Sequence, residues 1–404
     1  MRNHFLVLMT LIICLTAVSA CGAESADTAE NITSYAQIAL SRKDAGAEVL
    51  TDGDYRTQWA AENGYLEFML PADRPCYTLY ALISSHPENV IVQEEKNGRW
   101  EKVAVEGEPF NSRSFHLQGL THFRLAVTKG QLKVMEVRLF GQGTLPPDVV
   151  DFQETADKAD LMILACHPDD DILWLGGLMP TYAGQLGMKV QVAYMTSRFH
   201  YRRCEAMDAL WHCGVRQGPV FAEMPDNGKS SYVKAVKEWG GIRATSVKIA
   251  RMIRRFRPEV LVTQDTNGEY GHNQHRLMVV ACNQAVQMAA DPKQRDLRGL
   301  PAWEVKKYYI HLYPEDALVL DFECPLPAFG GKTAFDVAKE AFLLHSSQQN
   351  GRYEVAIDGP YDIRRYGLAY SAVGPDEAHD GLFEHIDGLY EIERSLSRNK
   401  DGEV

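Results

Sequence analysis

Two rhythms of apolar and polar residues divide this chain. From about Ala36 to Gly141 the apolar positions come in short alternating runs, "YLEFML", "YTLYALISS", "NVIVQEE", "FHLQGL", "HFRLAV" and "KVMEVRLFG", separated by Gly, Pro, Asn and charged residues. Alternation puts every second side chain on one face of a strand, and no helical period is sustained there. The pattern predicts a small all-β sandwich over residues 36–142. A joint follows at 143–158, where Gly143 and the Pro146-Pro147 pair break any regular element. Beyond it, "ADLMILAC" is a continuous apolar run suited to a strand covered on both faces. "ILWLGGLMPTYAGQLG" then has helical spacing, "KVQVAYMT" reads as a strand, "YRRCEAMDALWHCG" as a helix and "GPVFAEM" as a strand. An amphipathic helix, "GGIRATSVKIARMIRRFRP", feeds the strand "EVLVTQD". Such alternation over 159–398 predicts an α/β domain, a Rossmann-like doubly wound parallel sheet.

The first 21 residues follow neither rhythm. Arg2 precedes an apolar core from Phe5 to Leu15, too short to span a bilayer comfortably, and Val18-Ser19-Ala20 lead into Cys21. That ending resembles a bacterial lipobox, whose cysteine is lipidated and becomes the mature N-terminus; ordinary signal-peptide cleavage after Ala20 also fits. On the lipobox reading, 1–21 is a lipoprotein signal peptide and 22–35 a polar tether. The protein then sits in the bacterial cell envelope, anchored to the membrane by its N-terminal lipid and facing the periplasm or the cell surface.

Composition narrows the partners. The net charge of −12 and the lack of a basic run exclude nucleic acid. With 404 residues, more than one core is expected. Cys76, Cys166, Cys204, Cys213, Cys282 and Cys324 form no C-x-x-C pair, so they read as buried apolar residues and not as a zinc knuckle.

The chemistry concentrates at two strand ends. "LACHPDDDILWLGG" places His167, Asp169 and Asp170 where the first α/β strand stops. Clustered carboxylates repel one another and lose hydration on burial, so they need a cation or a catalytic duty. About a hundred residues on, "VTQDTNGEYGHNQHRL" ends another strand with His272 and His275 on a loop entering a helix. One Asp and two His from separate strand ends make a three-ligand zinc site with an open position, a donor set that ferrous iron or cobalt also accepts.

These motifs resemble the PIG-L/LmbE deacetylases. "CHPDDDILWLGG" is similar to the family's A-H-P-D-D-E segment, "GEYGHNQH" to its later histidine motif, "RRCEAMDALWHCGV" to its R-x-x-E helix and "KEAFLLHSSQ" to its His-x-Ser-Gln helix. The resemblance implies His167, Asp170 and His275 as metal ligands and Asp169 as general base and later acid. It implies His272 at the oxyanion, Tyr270 beside the same oxygen, and Arg202 and Asp226 on sugar hydroxyls. Asp171 stands where the family has glutamate, and Asn273-Gln274 where it has Pro-Asp; the missing carboxylate is expected to leave His272 less basic. The implied activity is zinc-dependent hydrolysis of a linear amide, the acetamide of N-acetylglucosamine or a related N-acetylhexosamine in a glycan. Two other readings stay open: a glycan-binding lipoprotein with a degenerate deacetylase half, and a metallo-amidase for a non-sugar acyl amide. The N-terminal half, through "LTDGDYRTQWAA", "GYLEFML", "HFRLAV" and "VMEVRLFG", resembles discoidin-like (factor 5/8 type C, galactose-binding-like) domains. Asp52, Asp54 and Trp59 then fall at a structural turn that holds Ca2+ in some members, with a plain turn and a core tryptophan as the other reading.

Overall fold

A computed structural model describes residues 27–42, 46–84, 89–105, 112–228 and 231–398. Cys21 and the signal-like segment lie outside them. Among the described residues no helix is long and apolar enough to cross a membrane.

Among the described residues the alternating half folds as nine strands: β1 (Gln37–Leu40), β2 (Trp59–Glu62), β3 (Tyr65–Met69), β4 (Cys76–Ile83), β5 (Val90–Lys96), β6 (Arg99–Lys102), β7 (Ser112–Leu120), β8 (His122–Val127) and β9 (Gln131–Phe140). They pair antiparallel in two sheets, β1-β3-β8-β5-β6 and β2-β9-β4-β7. The period of two sends Leu66, Phe68, Phe123, Leu125, Leu79 and Val137 into one core between the sheets. Register opposes Phe68 to Phe123, whose rings stack at 5.1 Å. Trp59 is a core residue, with its indole N–H donated to Arg42 O at 3.0 Å. The stretch expected as a tether contributes to this domain from its described part onward. Thr28 bridges to Thr144, Asn31 to Phe140, and Ala29 and Ile32 are buried. Strand-edge donors and acceptors find partners there, which fixes a segment whose composition alone reads as a spacer.

The α/β half contains β10 (Leu161–Ala165), α1 (Asp170–Leu173), β11 (Val190–Thr196), α2 (His200–His212), β12 (Val220–Met224), α3 (Tyr232–Glu238), α4 (Ile242–Phe256), β13 (Val260–Thr263), α5 (Asn273–Ala290), β14 (Lys307–His311), β15 (Ala317–Val319), α6 (Ala334–Leu343), β16 (Arg365–Ser371) and α7 (Leu389–Arg398). The sheet order is β12-β11-β10-β13-β14-β16-β15. The five strands from β12 to β14 are parallel, and apolar clusters cover both faces. The parallel expectation fails at one edge, where β16 runs antiparallel to β14 and β15. Such an edge strand is common on doubly wound sheets. The segment "ILWLGGLMPTYAGQLG" also departs from a single helix: after one turn of α1 it breaks, then resumes as a π-helix over Met179–Gln185. A Cβ on Gly177 would lie 2.1 Å from the Phe322 ring, so glycine is required at the break.

The order places β10 and β13 side by side, with the chain leaving them toward opposite edges. That is a topological switch point, where doubly wound sheets open a crevice at the carboxyl ends of their strands. The joint docks the two halves. Val149 and Val150 pack with Tyr80, Met135 and Phe140 of the sandwich and with Cys204 and Met207 of α2. Tyr55 donates its hydroxyl to Asp208 at 2.6 Å, and Trp211 its indole N–H to Pro147 O at 2.7 Å.

Candidate metal centre

The crevice holds the residues flagged in the sequence. His167 follows β10 directly, Asp170 opens α1, and His275 lies in the first turn of α5 after β13. His167 Nδ1 is 2.9 Å from Asp170 Oδ2 and 3.1 Å from His275 Nε2, and His275 Nε2 is 3.1 Å from the same oxygen. All three side chains are buried. Their outer hydrogen bonds fix the tautomers. His275 Nδ1 donates to Glu269 Oε2 at 2.8 Å, and His167 Nε2 donates to Gln274 Oε1 at 3.1 Å. With both outer nitrogens protonated, three lone pairs face one another inside the triangle, an arrangement that calls for a cation. Burial opposes charge on His275, yet Asp170 and Glu269 outweigh it and push its pKa up to about 10, so without a cation a proton on Nε2 takes the place a metal would fill. Burial likewise opposes the Asp170 anion, and His275 and His167 overcome it, holding that carboxyl well below its ordinary range. The donor set therefore fits a divalent metal such as zinc. The Cys166 thiol, an apolar-run residue in the sequence, also comes within 4.8 Å of this group.

Asp169 points elsewhere. Its φ of 147° is rare for a residue with a side chain, and such strain gathers at functional sites. The twist turns two consecutive carboxylates in different directions. Asp169 Oδ1 accepts from Arg202 Nη2 at 2.5 Å. Burial raises its pKa to about 6, against the pull of Arg202 and with a push from Asp170. Arg202 stands on the first turn of α2, 14% exposed, with Asp226 Oδ2 3.9 Å from its Nη1. Asp226 Oδ1 is 3.7 Å from His167 Nε2, so both residues expected at sugar hydroxyls reach the same mouth. Asp171 turns into the core, wholly buried, and burial lifts its pKa to about 7.

The His272 ring lies 4.4 Å from that of His275 and 4.8 Å from that of His167. Burial, then its two histidine neighbours, lowers its pKa to about 3, so it is a neutral imidazole. Gln274, in place of the family's carboxylate, serves His167 and donates to Pro225 O at 2.7 Å, leaving His272 unsupported by it. Tyr270 stacks on Tyr353 at 4.5 Å at the rim.

Several supports were not singled out in the sequence. Glu269 carries a carboxylate on His275 from a left-handed position, φ 54°, and also approaches His311 Nδ1 at 3.5 Å. Its signal was a lone acid six residues before His275. Glu205 of α2 takes hydrogen bonds from Ser346 Oγ, Ser347 N and Ser347 Oγ at 2.8, 2.8 and 2.6 Å. The R-x-x-E helix and the His-Ser-Ser-Gln turn are thus one joint, a turn along α2 from Arg202.

Residues 162–286 match the family model described as PIG-L: GlcNAc-PI de-N-acetylase. Over that stretch the chain is similar to PIG-L proteins. Over 133 residues it is 35% identical to the 1D-myo-inositol 2-acetamido-2-deoxy-alpha-D-glucopyranoside deacetylase of Geodermatophilus obscurus. That stretch is 33% of this chain and 44% of the relative, so the match spans less than half of the relative's length. The N,N'-diacetylchitobiose deacetylase of Pyrococcus horikoshii superposes with a TM-score of 0.38 at 18% identity, covering 48% of this chain and 72% of that one. Ahead of the matched residues, the sandwich superposes on a chitosan-binding module of a Paenibacillus chitosanase/glucanase. The TM-score is 0.23 at 12% identity, covering 28% of this chain and 99% of the module.

Proposed function

We propose that this chain is a metal-dependent N-deacetylase acting on N-acetylglucosamine or a related N-acetylhexosamine of a glycan outside the cytoplasm. The observation that carries the proposal is the triangle of lone pairs on His167, Asp170 and His275, beside a separately held carboxylate on Asp169. His167, Asp170 and His275 would hold zinc, with iron or cobalt as alternatives, and the metal would polarise the acetyl carbonyl and acidify a water. Asp169 takes the proton from the attacking water as the C–O bond forms. As the C–N bond breaks, the same carboxyl returns the proton to the amine, giving acetate and the free amino sugar. Neutral His272 offers an N–H to the oxyanion, and Tyr270 stands beside the same oxygen. Arg202 keeps Asp169 aimed and, with Asp226, presents polar groups to sugar hydroxyls. The identity of the Geodermatophilus relative and the PIG-L match support the substrate class.

Acetate release from a panel of N-acetylated glycans tests the reading. Release that stops with a chelator and returns with zinc is expected. A folded, zinc-loaded protein that releases acetate from none of them is a degenerate deacetylase, and the reading fails.

Two further parts belong to this proposal. The lipobox-like Cys21 would tether the enzyme to the envelope membrane through lipid. The turn at Asp52 would seat calcium: Thr57 Oγ1 lies 2.9 Å from both Asp52 Oδ2 and Asp54 O, and Gly53 N donates to Glu136 at 3.2 Å. Burial and then the Asp52 charge push Glu136 up to about 7, a repulsion that a cation relieves. The Asp54 carboxylate is spent on Arg56, so only its carbonyl faces the turn. A melting temperature raised by calcium and lowered by a chelator is the expected result; no change in either condition rejects the seat.

A further inference from the structure

One aromatic residue of the opening motif has no part in the chemistry above. Trp174 follows α1, four residues after Asp170 and so on the same face. It is 1% exposed, and its indole N–H donates to Asp170 Oδ1 at 3.0 Å. Asp170 Oδ2 meanwhile accepts the backbone N–H of His167 at 2.7 Å and faces both histidine nitrogens. The two oxygens of one carboxylate are therefore divided, one toward the triangle and one toward the indole.

The indole is also unable to turn away. Its ring packs against Tyr361, Tyr353 and Tyr270 with centroids at 5.3, 5.5 and 6.0 Å. Tyr361 and Tyr353 come from the segment after α6, and Tyr270 from the loop before α5. A buried indole needs an acceptor, and Asp170 Oδ1 is the one it has. Tryptophan only donates and does not ionise, so this bond persists at every working pH.

We propose that Trp174 is a positioning residue that commits Asp170 to meet the metal through a single oxygen, keeping the rest of the coordination sphere free for water and substrate. Without the N–H, Oδ1 loses its one directional partner in an apolar cage and turns inward beside Oδ2. Both oxygens then reach the metal, and the open position closes. The claim rests on the metal reading of the triangle, and its test separates the two.

Cobalt(II) replaces the native metal, and its visible absorption reads coordination independently of turnover, because intensity falls as the coordination number rises. Trp174→Phe keeps the ring packing and removes the donor. The expected result is a cobalt band clearly weaker than wild type and metal affinity reduced about 10- to 100-fold, the usual cost of losing an outer partner. Benzothienylalanine introduced at position 174 has tryptophan's shape without its N–H and provides the same comparison should phenylalanine pack poorly. An unchanged band and affinity in either folded variant overturn the proposal while leaving the metal centre standing. A wild-type protein that takes up no cobalt or zinc overturns both.

Discussion

Arg202 and Asp169 meet at 2.5 Å, and one turn further along the same helix Glu205 fastens the 346–347 turn. A single helix thus aims the carboxylate proposed as base and braces the helix that packs behind it. The arrangement separates Asp169 from its neighbour Asp170 in role as well as direction.

Asp169→Asn keeps size and hydrogen bonding while removing basicity. It should leave metal content intact and lower turnover about a hundredfold or more, the usual yield of general acid–base catalysis. Asp170→Asn should lose metal first. Metal analysis and acetate release on both variants decide the assignment, and the opposite pattern would reverse it.

Glu269→Gln keeps an acceptor for His275 Nδ1 and deletes the charge behind it. Metal affinity should fall about 10- to 100-fold with the fold intact, as expected for a carboxylate that raises a ligand's basicity. Equilibrium dialysis against zinc checks this, and an affinity equal to wild type would reduce Glu269 to a packing role.

Glu393 gives the stability a pH dependence far from the metal. Burial raises its pKa from 4.5 to about 7, against the Tyr182 hydroxyl and the Leu382 and Phe383 N–H groups, which favour the anion. An acid whose pKa rises on folding binds more protons folded than unfolded. Its contribution is full below about 4.5 and is lost as the pH rises through about 7, a loss on the order of 3 kcal/mol. Urea midpoints should fall between pH 5 and pH 8 in the wild type and fall less in Glu393→Gln. Equal slopes would show that Glu393 does not titrate in that window.

Cys21→Ala should move the protein from the membrane fraction to the soluble fraction if Cys21 is lipidated. Mass analysis showing an unmodified Cys21 in a soluble wild type rejects the anchor.

Much of the architecture was legible because burial on two faces and burial on one face write different patterns, as β10 and β3 do. The candidate cluster was legible because His167 and Asp170 follow β10 and His275 opens the helix after β13, where a sequence marks the strand ends by apolar runs that stop. The antiparallel edge was not, since β16 has the same apolar character as a parallel strand and nothing local records its direction. The supports were harder still. Trp174 reads as one more apolar residue, and its bond to Asp170 appears only when α1 turns the indole back. Gln274 was read for the charge it lacks, whereas its amide holds His167 and leaves His272 alone.

The α2 helix has an implication for how this protein can change over time. Its first turn holds Asp169, and its later turns are pinned to the sandwich through Asp208 and Met207 and to the joint through Trp211. Cutting the chain at the joint would leave Met207 and Cys204 wet and the helix free to tilt, and Arg202 would drift with it. The two halves are therefore not exchangeable cassettes: a foreign β-domain grafted here inherits the task of keeping a guanidinium in place at the other end of the helix it packs against.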